Sequence, residues 1–347
     1  MRYIRIAENF EEIVMKRNVK LFICVGAILF GSGAAVLAGA PYGRNKNHLI
    51  KAHVPAPVKE YGISTTLTGT DCYLDRLDEL KNDGITHVEI CLRENYDEAD
   101  ALFGKAVEQI KASGLKIWSV HLPFGDTVNP AEPEEEKRIK NIEKIKKFIF
   151  LTEGCGAKIF VIHGSYEPVV QDAQRMRVLD AAVVSLAELN GLMNEKKLKL
   201  AVENLPRTCI GNNIDEMDYI AEKIPDLSFC FDTNHFTPAK PNENFKPIQR
   251  LIPSLREKMN PVNSDPVAFA HKFANRIITV HISDYDGINE CHWIPGQGII
   301  AFQSIHNTLI FAGFDAPIMF EPNEKCKGVK TTGKRLIEGY EKTLGIR

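Results

Sequence analysis

The sequence predicts an α/β protein whose main domain closes as a (β/α)8 TIM barrel. Three observations carry that prediction. Strand-like and helix-like runs alternate eight times from about residue 58 to the C-terminus, without a composition break or a second core. No GxGxxG follows the first strand, which weakens an open, doubly wound sheet as the alternative. Acidic and imidazole side chains stand at the carboxyl ends of several strands, where a parallel barrel gathers its functional groups.

In chain order, YGISTTLTG reads as the first strand and DRLDELKNDG as a helix closing on Gly84. THVEICL is the second strand, followed by a helix over DEADALFGKAVEQIKASG with Ala, Val and Ile at helical spacing. KIWSVHLP is the third strand. In the charged stretch after it, Ile139, Ile142, Ile145 and Ile149 fall at three- and four-residue steps, so the charges mark a solvated helix face. AKIFVIHG is strand four, with a long helix from about Ala173 to Lys196. LKLAVENLP is strand five with IDEMDYIAEKI as its helix, and LSFCFDTNH is strand six. A Pro- and Asn-rich insertion follows, at about residues 237–265, with a short amphipathic segment over 248–259. Insertions of that length in compact domains are lids, binding loops or interface elements. PVAFAHKFANR, IITVHISD, IAFQSIHNTLIFAGF, PIMFEPN and GKRLIEGYEKTLG complete the eightfold alternation.

The 347 residues carry a formal charge of only −2, which leaves no electrostatic footprint for nucleic acid or an anionic membrane. Small neutral substrates are compatible. The eight cysteines form no CxxC and no zinc-knuckle spacing, so neither a thiolate-rich zinc site nor a disulfide framework is expected.

The N-terminal region has a different character. Residues 21–40 are uncharged and follow Lys16, Arg17 and Lys20, the plan of a secretory signal. Ala38-Gly39-Ala40 fits a cleavage site, although Pro41 is a poor neighbour for one; Met15 offers a second start. The apolar run is also long enough to span a bilayer, which keeps an uncleaved anchor open. The expected organisation is a signal peptide or membrane anchor over 1–40, a linker over 41–57 and a barrel over 58–347. Such a protein is exported: periplasmic, or anchored facing outside the cytoplasm, touching the membrane only through that segment.

The strand ends supply His121, His163, Glu203, Asp232, His235, His281 and Glu321, with His292 in the loop after strand seven. One histidine at a strand end is usually a packed, hydrogen-bonded residue. Seven polar tips on six of eight strands are brought together by barrel geometry and suggest a metal site. Two glutamates, one aspartate and one histidine offer three oxygens and one nitrogen. That mixture suits one divalent ion of intermediate hardness, Mn²⁺ first, with Mg²⁺, Co²⁺ and Zn²⁺ compatible.

The series VEN, DTNH, VHISD and FEPN on strands five to eight resembles the xylose isomerase-like barrels, over roughly residues 60–345. Within them it is most similar to the sugar phosphate isomerase/epimerase group, which includes ketose 3-epimerases and inosose dehydratases. The resemblance implies Glu203, Asp232, His281 and Glu321 as ligands of one divalent metal. It also implies Glu203 and Glu321 as acid and base on opposite faces of the substrate, with His235 as a substrate contact. HWIPGQG is similar to the family's His-x-x-Pro-Gly-x-Gly turn, whose histidine lies near substrate; His292 takes that place, and Trp293 beside it is a candidate sugar-stacking ring. His121 and His163 complete the expected substrate contacts.

The chemistry so implied is proton abstraction next to a carbonyl, on a sugar or cyclitol, through an enediolate. Isomerisation or epimerisation is expected first, with elimination from a keto-sugar as the close alternative. Two departures bear on free-ketose 3-epimerisation. Cys209 stands where the ketose epimerases have a further glutamate, and the loop after strand seven lacks their arginine but offers Asp284, Asp286, Glu290 and His292. Arg207 is the main basic candidate at the mouth. Endonuclease IV-type nucleases, which hold three zinc ions, are a second resemblance, imperfectly echoed by His121, His163, His235, Glu290 and His292. A non-catalytic carbohydrate-binding barrel is a third alternative, disfavoured by the intact pair Glu203 and Glu321. A homo-oligomer is compatible with all of these.

Overall fold

The computed structural model describes residues 60–167, 173–236 and 265–346. The expected signal or anchor, the linker and nearly all of the insertion lie outside the described residues.

Eight parallel strands follow one another around a barrel: β1 (Tyr61–Thr66), β2 (His87–Cys91), β3 (Lys116–His121), β4 (Ile159–His163), β5 (Lys199–Glu203), β6 (Ser228–Asp232), β7 (Ile277–His281) and β8 (Ile318–Phe320). β8 pairs back onto β1 through Tyr61–Ile318, Gly62–Met319 and Ile63–Phe320. The last seam, between β7 and β8, carries one parallel bridge, Ile282–Phe320, with Ile282 N donating to Met319 O at 2.8 Å. The predicted barrel is therefore the observed architecture.

The helices are α1 (Leu77–Asn82), α2 (Tyr96–Ser113), α3 (Glu135–Thr152), α4 (Ala173–Glu195), α5 (Ile214–Lys223), α6 (Pro266–Phe273), α7 (Phe302–Phe311) and α8 (Gly333–Thr343). Local chemistry sets several of their ends. Asn95, Asn213, Asp265 and Thr332 cap the amino ends of α2, α5, α6 and α8 with their side chains, and Gly114 at φ 76° closes α2. One small element was not anticipated, a two-stranded ribbon of β9 (Lys325–Cys326) and β10 (Val329–Lys330). Its connection is Lys327-Gly328, both at positive φ (49° and 79°), the backbone of a tight primed hairpin turn.

Period-two alternation divides the strand residues between two cores. Phe160, Ile162, Leu200, Val202, Phe229, Phe231 and Val280 point outward into the large core under the helices. Ile159, Val161, Ala201 and Cys230 point inward and form a smaller core in the lumen, backed by Trp118 and Ile278. The same inward parity continues to His163, Glu203 and Asp232, so the apolar floor of the barrel gives way to polar groups at its carboxyl end.

Candidate active site

Register brings the polar tips level. His163 pairs with Glu203 across β4 and β5, and Asp232 pairs with His281 across β6 and β7. Glu321 follows β8 directly. Asp232 and His281 have no solvent exposure, and Glu203 has 1%.

Glu203 is the hub. Its Oε2 lies 3.0 Å from His121 Nε2 and 3.2 Å from His163 Nε2, and its Oε1 lies 3.0 Å from His281 Nδ1 and 3.3 Å from His235 Nδ1. Burial opposes its charge, but the surrounding imidazoles, His281 first, hold the carboxyl well below its ordinary value. His281 is held well above its ordinary value against the same burial by Cys230, Glu89, Glu321 and Glu203. Glu321 behaves oppositely to Glu203: burial, with Asp232 and Glu203 adding to it, lifts its carboxyl to about 7. Burial also lowers His163 to about 4.

Four of the predicted residues meet the geometric demand of one cation. Single ligand atoms of Glu203, Asp232, His281 and Glu321 all lie within 4.8 Å of one another. His281 Nδ1 stands 3.0 Å from Glu203 Oε1, 3.4 Å from Glu321 Oε2 and 3.9 Å from Asp232 Oδ2. Ligands about 2.1 Å from a shared octahedral ion stand about 3.0 Å apart when adjacent and about 4.2 Å apart when opposite, so these spacings fit. Asp232 Oδ2 and Glu321 Oε2 are buried without a hydrogen-bond donor among the described residues. Buried acceptors aimed at one point are what a cation satisfies.

Neighbouring residues fix this set. Asn204 clamps Asp232 from the adjacent strand end, its Nδ2 donating to Asp232 O at 2.9 Å and its Oδ1 accepting from Asp232 N at 2.8 Å. Asn204 O accepts from His235 Nδ1 at 2.9 Å. Glu89, inside β2 and fully buried, lies 2.9 Å from His281 Nε2 and accepts from Ser119 Oγ at 2.6 Å.

Beside the cluster opens a cavity of about 170 Å³. Four of the expected substrate contacts, His121, His163, His235 and His292, line it with Glu321, Phe124, Tyr166, Arg207, Cys209 and Glu290. Phe124 stacks on His163 with ring centres 4.4 Å apart. Trp293 is a correction: it does not line the cavity. Its backbone pairs with Asp284, and its ring lies under Lys327 Nζ at 3.9 Å. The aromatic surface of the cavity comes instead from Phe124 and Tyr166.

The four polar residues of the loop after β7 separate into different roles. Asp286 is spent on its own turn, accepting from Ile288 N and Asn289 N at 2.8 and 2.7 Å. Asp284, 1% exposed, accepts four backbone N–H groups, from Tyr285, Gly296, Gly298 and Ile300, at 2.8–3.2 Å. That hub folds the loop so that Glu290 and His292 face inward. Glu290 Oε1 lies 3.4 Å from His292 Nε2 and 3.7 Å from His235 Nε2. Its other oxygen pairs with Arg207, which also donates to Glu167 at 2.7 Å. His292, at φ 45°, donates from Nδ1 to Glu321 O at 2.9 Å. Burial opposes its charge, yet Glu290 and Glu321 raise it to about 9.

The fold is an α/β barrel that gathers an acid-and-imidazole cluster, a candidate metal site, at the carboxyl ends of β5 to β8. A family model of xylose isomerase-like TIM barrels matches residues 77–342, and the chain belongs to that family. Two uncharacterised proteins of Methanocaldococcus jannaschii are related. One is 25% identical over 228 residues, covering 64% of this chain and 69% of that one. The other is 22% identical over 249 residues, covering 72% and 86%. Among solved structures, a D-tagatose 3-epimerase-like protein matches with a TM-score of 0.63 at 21% identity, covering 82% of this chain and 97% of that one. An L-ribulose 3-epimerase matches with 0.61 at 16% identity, covering 82% and 93%. A 3-keto-D-glucoside 4-epimerase from E. coli matches with 0.55 at 15% identity, covering 82% and 98%. At these identities the structural matches speak for the fold.

Proposed function

We propose that this protein is a divalent-metal-dependent isomerase or epimerase acting on a sugar or cyclitol by proton abstraction next to a carbonyl. One observation carries the reading: Glu203 and Glu321 converge on one cluster with Asp232 and His281 yet differ in character. Glu203 is 1% exposed, ringed by imidazoles and held ionised. Glu321 reaches the cavity, and in the metal-free chain burial raises its carboxyl. Two carboxylates so placed, one enclosed by imidazoles and one open to the cavity, suit one to remove a proton and the other to return it. Three structural neighbours bear the names of 3- and 4-epimerases, which agrees with sugar chemistry in a barrel of this kind.

Glu203, Asp232, His281 and Glu321 are the residues that would hold the metal, with Mn²⁺ proposed from the mixed oxygen and nitrogen donors. A bound divalent ion would supply Lewis-acid stabilisation of charge developing on the carbonyl and neighbouring hydroxyl oxygens. His121, His163, His235 and His292 line the cavity to bind and orient hydroxyl groups. Phe124 stacks on His163 and gives the sugar ring an apolar wall. Elimination from a keto-sugar uses the same enolate and is the alternative outcome at the same residues. Export, or anchoring outside the cytoplasm, is part of the proposal and rests on residues 16–40.

The test is deuterium incorporation from D₂O into a panel of ketoses, keto-glycosides and inososes, with the Mn²⁺-loaded protein and Glu321→Gln as control. Metal-dependent exchange that falls by about 10²–10⁴ in the variant supports the reading, and the labelled carbon separates epimerase, isomerase and eliminating activity. No exchange on any substrate despite metal binding would refute it. One observation favours a second reading, hydrolysis at a multi-metal centre. Two further ligand groups, His121–His163–Glu203 and His235–Glu290–His292, adjoin the first. Metal stoichiometry decides between them: about one ion per chain supports the isomerase, two or three the hydrolase.

A further inference from the structure

We propose that Glu89 is a positioning residue of the site: its carboxylate holds the His281 imidazole with Nε2–H toward the barrel interior, leaving the Nδ1 lone pair to the ligand cluster. The proposal rests on the metal reading above and assigns a role to a residue that lies below the ligands in the lumen.

Parity sends Glu89 inward. Its neighbours Val88 and Ile90 belong to the outer core, and its cross-strand partner Ser119 supplies the hydroxyl that its Oε2 accepts at 2.6 Å. The carboxylate has no solvent exposure and, among the described residues, no Lys or Arg partner. A buried charge of this kind costs several kcal/mol unless something compensates it. Among the described residues His281 and Ser119 touch it, and His121 adds a favourable charge from farther off. Glu89 Oε1 lies 2.9 Å from His281 Nε2, as a close ion-pair contact rather than an aligned hydrogen bond. Neither atom has another hydrogen-bond partner among the described residues, so each depends on the other.

The opposite edge of the imidazole shows what that contact accomplishes. Nδ1 faces three carboxylates, Glu203, Glu321 and Asp232, at 3.0, 3.4 and 3.9 Å. In the absence of Glu89, a neutral His281 would place its single proton on Nδ1, toward those three anions, and the nitrogen would be lost as a ligand. With Glu89 present, the proton is drawn to Nε2. The ring stacks on His121 at 5.8 Å with an 18° interplanar angle, which limits its rotation. An acceptor behind a ligating histidine sets its tautomer and orientation, and removing such a partner lowers metal affinity by about 10–100-fold.

The experiment compares wild type, Glu89→Leu and Glu89→Gln by calorimetric Mn²⁺ titration and by ¹⁵N-histidine NMR of the Mg²⁺-loaded proteins. Wild type should show His281 protonated on Nε2 alone. Glu89→Leu, without an acceptor, should bind Mn²⁺ about 10–100-fold more weakly and show mixed tautomers. Glu89→Gln retains an acceptor oxygen for Nε2–H while its amide can donate to Ser119. It should keep the wild-type tautomer and lose about 3–10-fold in affinity, and it decides alone if the leucine variant does not fold. Folded variants with affinity within twofold of wild type and an unchanged tautomer would overturn the proposal. Wild type that binds no Mn²⁺ would instead overturn the metal reading, and this proposal with it.

Discussion

Asp284 is the residue whose removal should most clearly separate loop organisation from barrel integrity. The perturbation is Asp284→Ala. Four backbone N–H groups lose a buried charged acceptor. Hydrogen bonds to a charged group are worth about 1.5–3 kcal/mol each, so four independent bonds would sum to about 6–12 kcal/mol. Two effects reduce that sum. The carboxylate is only 1% exposed, so its removal recovers a desolvation cost, and Gly296 is exposed and can bond to water instead. A net loss of about 3–5 kcal/mol is expected, in the range reserved for broken buried networks. Urea unfolding followed by tryptophan fluorescence measures it, and Mn²⁺ titration of the folded variant reports whether His292 still braces Glu321. A midpoint shift worth under about 0.5 kcal/mol, with unchanged metal affinity, would refute the account of Asp284 as the hub of this loop.

The pH dependence of the metal-free chain should reveal His292. Its affinity is raised from 6.5 to about 9, so its contribution is fully present below about 6.5 and lost as pH rises through about 9. Wild type should therefore lose up to about 3 kcal/mol relative to His292→Asn across that window, and parallel stability curves would contradict this. Gly298→Ala should disrupt the same loop, because a Cβ there would lie 2.1 Å from Tyr285 O and 2.3 Å from Asp284 Oδ1. Gly154→Ala, whose Cβ meets nothing within 4 Å, is the control and should melt within about 2 °C of wild type. Equal melting temperatures for the two variants would show that the close approach at Gly298 is not a constraint.

Much of the barrel was legible because parallel strands buried on both faces read as apolar runs, and β4 to β7 end in residues too polar for a core, as does the step just past β8. Glu203, Asp232, His281 and Glu321 were readable for that reason, each standing where its apolar run stops. Glu89 was not, because it sits within HVEIC and looks like the solvent-facing residue of an alternating strand. In a barrel that inner face is the lumen, so an acid inside a strand with no wet side was the available signal. Asp284 was visible as a loop acid, but nothing in the order of residues tells an acceptor of four N–H groups from a solvated one. Trp293 was misplaced for a related reason: adjacency to His292 in sequence does not carry over to a loop where His292 has positive φ and successive side chains diverge. Arg207, also at positive φ (55°), reaches Glu290 across 83 positions, a pairing that no local pattern encodes. The ribbon at 325–330 escaped because lysine is an uncommon first residue for its turn.

The joint between β7 and β8 has a consequence for how the molecule comes apart. Most neighbouring strands are laced along several rungs, but this pair is fastened by one bridge at Ile282 and Phe320. Flanking it, His281 before the bridge on one side and Glu321 after it on the other approach to 3.4 Å. Any cation gripped by both therefore acts as a clasp on the hoop. Hydrogen exchange at Ile282 N and Glu321 N, which lace the joint, should slow on cation loading more than at the β1–β2 rungs, so the chemistry of the site and the closure of the barrel share one fastening.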